Sequence, residues 1–151
     1  MPTLIERLSS ALGEALTIVE ETDGALTVSQ DGIVASLRVV TIAEGLEMVS
    51  LSQPLAWDLP LTAKVRERVA QHASSTLLGT VALVEKVPNG PETATNGASA
   101  KTAARQSSNR KVGDVMLRYN FPGAGLTDDA LRTLILMVLA AGADVRRSLL
   151  S

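Results

Sequence analysis

From Pro88 through Lys111 the chain carries no Val, Ile, Leu, Met or aromatic residue, and this gap constrains the fold more than any other feature. A segment made of Ala, Thr, Ser, Asn, Gly and charged residues has too little apolar surface to offset the entropy of ordering it. Only 38 residues follow, from Asp114 to Ser151. They suffice for one strand and one helix but not for a second core. The sequence therefore predicts a disordered insertion at 88–113 inside a strand-to-strand connection, with residues 1–151 forming one domain. A chain of this length buries roughly two thirds of its unfolded surface and needs no disulfide or metal to hold it.

Around the gap, the apolar pattern changes period several times. Leu4, Ile5, Leu8 and Leu12 recur at helical spacing behind Pro2 and Thr3, which predicts a helix over 3–14. Asp23-Gly24 and Asp31-Gly32 are hairpin-turn pairs, because Asp-Gly accepts the positive φ that tight turns require. Strands follow at 16–21, 25–30, 33–42 and 46–52, a meander that Pro54 is expected to end. In IVASLRVVTI both faces carry valines, so cover on both sides of the sheet is expected, with a partner as one candidate cover. Thr62 then caps a second helix with Leu61, Val65, Val69 and Ala73 on its apolar side. LLGTVALVEKV and DVMLRYNFP alternate as two strands on either side of the insertion. Thr127 caps the last helix, with Asp128 and Asp129 at its positive pole and Arg146 and Arg147 at the other. That helix is apolar on two stripes. Leu131, Leu134, Val138, Ala141, Val145 and Leu149 suit the sheet, whereas Leu136, Leu139, Ala140 and Ala143 call for further protein against them.

Chemistry enters mostly by exclusion. With no cysteine and a single histidine, His72, the chain has no thiol nucleophile, redox pair or Cys/His metal cluster, and no cofactor is implied. Gly123-Ala124-Gly125 lies where a dinucleotide loop would, but the third glycine position is Asp128 and two carboxylates occupy the first helical turn, which repels phosphate. A nucleotide or phosphate site over Gly123–Asp129 stands only as an alternative. His72 lies beside Ser74, Ser75 and Thr76, residues that more simply terminate a helix. Glu20-Glu21 and Asp128-Asp129 are adjacent in sequence and form no acid/base dyad. The segment 88–113 has a net charge of +3 against −5 for the rest. Without interleaved aromatic residues it offers only weak, salt-sensitive nucleic-acid contact, so no nucleic-acid partner is expected and association through this segment stands only as a further alternative. The longest run free of both charge and strong polarity, Thr133–Ala143, is far short of the roughly 20 residues a membrane helix needs. Glu6 and Arg7 interrupt what would be an export signal's core. A cytoplasmic, reducing location is the expectation. Trp57, in PLAWDLP, serves either to cover the core or to anchor a partner.

The order helix, β-meander, helix, β-hairpin, helix, in an acidic chain of 15.8 kDa, is similar to the type III secretion chaperone-like fold, which the bacterial YbjN-like proteins share. LLGTVALVEK followed by DVMLRYNFPGAGLTDDALRTLILMVLAAGADVRRSL resembles that group's apolar strand, its second strand ending in an aromatic-Pro turn, and its long closing helix. The resemblance implies a single α+β domain around an antiparallel sheet. It also implies a non-enzymatic chaperone-like or adaptor protein, homodimeric, that binds an extended segment of a partner protein. Trp57 and the second stripe, Leu136, Leu139, Ala140 and Ala143, are the candidate partner-binding residues.

Overall fold

The computed structural model describes residues 2–87 and 111–151. The predicted insertion lies outside them up to residue 110. Its expected far boundary shifts, because Val112 and Gly113 already belong to a strand. In chain order the elements are α1 (Leu4–Leu12), β1 (Thr17–Glu20), β2 (Leu26–Gln30), β3 (Ile33–Ala43), β4 (Leu46–Pro60), α2 (Ala63–Ser75), β5 (Thr80–Lys86), β6 (Val112–Pro122) and α3 (Asp128–Leu150). One antiparallel sheet with strand order β1-β2-β3-β4-β6-β5 makes this a single α+β domain. β6 is placed between β4 and β5, so the chain from Val112 onward supplies an interior strand of the sheet.

The local signals act as their chemistry requires. Thr3 accepts from the Glu6 backbone N–H at 3.2 Å while Glu6 Oε1 accepts from the Thr3 hydroxyl at 3.0 Å, a reciprocal cap. Thr62 and Thr127 cap α2 and α3 by accepting from Val65 N and Ala130 N, both at 3.1 Å. Asp31 and Gly32 both take positive φ, 53° and 82°, in the two-residue turn between β2 and β3. Asp23-Gly24 instead lies in a longer connection, where Asp23 Oδ1 accepts from Ala25 N at 3.1 Å.

All three helices pack on one face of the sheet, with α3 in the middle touching α1, α2, β3 and β4. The side chains beneath them alternate along each strand: Leu26 and Val28, Ala35 and Leu37, Val49 and Leu51, Val115, Leu117 and Phe121, and Val81. The opposite face is covered by no described residue. Val34, Val40 and Ile42 stand exposed there, so the described residues of this chain supply cover on one side only.

Pro54 does not end β4. Pairing with β3 stops at Ser36↔Ser52, while pairing with β6 continues to Pro60↔Val112 through irregularities at Pro54/Ala56 and Ala56/Leu59. Beyond Ser52 the strand has a neighbour on one side only, and a proline's missing N–H is tolerated on such a free edge or at a bulge. Within α2 the expected apolar row is only partly used. Val69 is buried, but Ala73 is exposed.

Candidate functional site

The sheet splits where β3 and β4 part. Ile33–Ala35 remain paired with β2, and β4 beyond Ser52 remains paired with β6. No ladder pair joins the two facing edges among the described residues. A cavity of about 310 Å³ lies at this gap, between Gly32–Val34, Gln53–Trp57 and the α3 residues Arg146 and Leu150. Beside it, a cavity of about 410 Å³ runs along α3. Leu136, Leu139, Ala140 and Ala143 form one side, and Ala15, Ser29, Gln30 and Ile33 form the other. Ile33 lines both, so the two cavities adjoin as two halves on either side of its side chain.

The four α3 residues singled out from sequence thus line one half, and Trp57 lines the other. Their burial differs within the stripe: Leu139 and Ala143 are buried and form the floor, Leu136 is half-buried, and Ala140 is exposed on the rim. Trp57 is 60 % exposed and covers no core. The Lys86 ammonium stands 5.6 Å from its ring centroid, within cation–π range. Charge reaches the groove only at its rim, where Arg147 is paired with Asp144 and Arg146 flanks the second half. A narrow apolar floor beside unpaired strand edges suits side chains of an extended polypeptide, with main-chain groups available for pairing.

Lys86 belongs to a cluster at the neighbouring β4 irregularity. Its Nζ contacts Asp58 at 2.7 Å and Asp114 at 2.9 Å, and Asp114 also accepts from the Asp58 backbone N–H at 3.0 Å. Asp58 adopts a positive φ of 55° to make this turn. Burial pushes the Asp114 carboxyl upward, but its hydrogen bonds from Lys86 and Asp58 N–H prevail and hold it below the ordinary carboxylate range. The same contacts, first that to Asp58 and then that to Asp114, hold Lys86 above its ordinary value.

The other sequence candidates take structural places. In the Gly123–Asp129 turn, Arg7 donates to Asp128 at 2.9 Å, to the Ala124 carbonyl at 3.2 Å and to the Leu126 carbonyl. The turn thus presents acceptors to a cation, the reverse of a phosphate cradle. A Cβ on Gly123 would lie 2.6 Å from Val49, so this glycine serves close packing of turn on strand. His72 Nε2 lies 3.0 Å from Ser148 Oγ, bridging α2 to α3, while Ser74, Ser75 and Thr76 bond back to the Gln71 and His72 carbonyls. No group of three metal-ligating side chains occurs among the described residues, and no described helix is long and apolar enough to cross a membrane.

Sequence reasoning missed Gln53 and Ile33. Gln53 falls just beyond the expected strand 46–52, yet it is buried on the helix-covered face opposite Leu117. Ile33 reads as an ordinary core position, and only the divergence of β3 from β4 makes it the wall between two cavities. The chain matches no family model and no curated protein sequence.

Proposed function

We propose that this chain is a non-enzymatic, chaperone-like or adaptor protein that holds an extended segment of a partner protein in the α3 groove, and that it acts as a homodimer in the cytoplasm. The observation that carries this reading is the groove itself, an apolar floor on the second stripe of α3 set against strand edges that have lost their neighbours. Alternate side chains of an extended segment would fill the two halves, and its backbone would pair with β3 or β4. The helix, meander, helix, hairpin, helix order suits the type III secretion chaperone-like fold, with a YbjN-like protein as the proposed kinship.

Fluorescence polarisation with short labelled peptides of alternating apolar and polar residues tests the groove. Ala140→Arg places a cation on its exposed rim and leaves the core alone, so it should weaken binding by roughly tenfold or more with no change in thermal midpoint. Equal affinity for both proteins, or no binding by any peptide of the panel, would sink the proposal.

A further inference from the structure

The two ends of the sheet are built differently. β1 closes one end with four residues, and its Glu20 carboxylate makes no ion pair among the described residues. A short edge with a free charge resists the addition of another strand. β5 closes the other end with seven residues, TVALVEK, and its outer edge pairs with no described residue. The two charges that would guard this edge are turned to their own chain. Glu85 pairs with Arg66 at 2.7 Å, and Lys86 is held by Asp58 and Asp114. What β5 and its flanks present is apolar: Val84 is 43 % exposed, Leu77 just before the strand 90 %, and Val87 just after it 56 %.

We infer that β5 is the interface between two copies of this chain, which gives the proposed homodimer its surface. The strands pair antiparallel across a two-fold axis to make one sheet continuous through both copies. With the axis at Leu83, each Ala82 faces a Val84, each Val81 a Glu85 and each Thr80 a Lys86 of the other copy, so no like charges stand opposite one another. The self-complementary pattern favours a second copy over an unrelated strand. An isologous contact of this kind is closed, and β1, the remaining edge, is the guarded one. No β5 residue lines the α3 groove, so pairing leaves it open.

Sedimentation velocity of the full chain over a concentration series should show a reversible passage from 15.8 kDa to twice that mass. Val84→Lys puts a charge on an exposed edge position and should raise the dissociation constant at least roughly tenfold, about 1.4 kcal/mol. Its thermal midpoint, read below the dimerisation range, should be unchanged. The chain has no cysteine, so Val84→Cys carries a single thiol. A short bis-maleimide should join two copies through it and should fail to do so through Thr17→Cys on β1. A strict monomer at every concentration, a dimer indifferent to Val84→Lys, or outer-edge β5 amides, those not bonded to β6, whose hydrogen exchange does not change with concentration would each overturn the inference. Groove-peptide binding by the Val84→Lys chain should persist, so that failure of the interface and failure of the groove register separately.

Discussion

Gln53 lies 1 % exposed between β4 and α3, donating from Nε2 to the Leu139 carbonyl at 3.4 Å, while its Oε1 has no partner. A Cβ on Gly142 would come within 2.2 Å of that oxygen. Glycine inside a helix forfeits about 1 kcal/mol against alanine, so Gly142 is a local loss that the Gln53 side chain requires. Gly142→Ala should destabilise the fold by about 1–3 kcal/mol, as overpacking does, because the added methyl meets the buried Gln53 amide. In a Gln53→Ala background the same substitution should be neutral or stabilising, and urea denaturation of the four proteins measures the coupling. Equal effects in both backgrounds would show that Gly142 answers to something else. Neither residue announces this in sequence, since Gln53 looks solvated and a lone helical glycine looks incidental. Their contact spans 86 to 89 positions only through folding.

At the scale of elements, the Lys86–Asp58–Asp114 cluster fastens three neighbouring strands, β5, β4 and β6, at the end of the sheet where residues 87–111 depart. Its pH dependence follows from the two shifts. Asp114 is lowered in the folded chain, so its contribution is present above the unfolded carboxylate range and is lost as pH falls through the lower folded value. Lys86 is raised, so its contribution is full below its unfolded value and is lost as pH rises through the higher folded one. Unfolding free energy measured against pH should therefore decline at both extremes. Asp114→Asn should flatten the acid limb, and an unchanged acid limb in that variant would remove the cluster from the account. The strands themselves are legible from alternation. Their fastening is not, because Asp58 and Lys86 come together only through a bulge and a register.

For the whole molecule, replacing residues 88–110 by a short Asn-Gly-containing turn should leave the circular dichroism spectrum intact and raise stability by about 1 kcal/mol through the shorter loop closure. Collapse of the spectrum would mean that those residues belong to the core. The reading of one domain follows from arithmetic on apolar residues, since the 38 residues after the gap cannot bury a core of their own. The caps at Thr62 and Thr127, the Asp31-Gly32 turn, the two stripes of α3 and the succession of strands likewise rest on interactions within a few residues of one another. By itself the sequence determined these, because capping, turn chemistry and side-chain period are local. Only the tertiary structure decided that β6 enters between β4 and β5, that β4 runs past Pro54, that the described residues cover one sheet face only, and that the parting of β3 from β4 opens a groove against α3. Each of these depends on which strand lies beside which, and that choice is made by non-local burial that no short window of sequence contains.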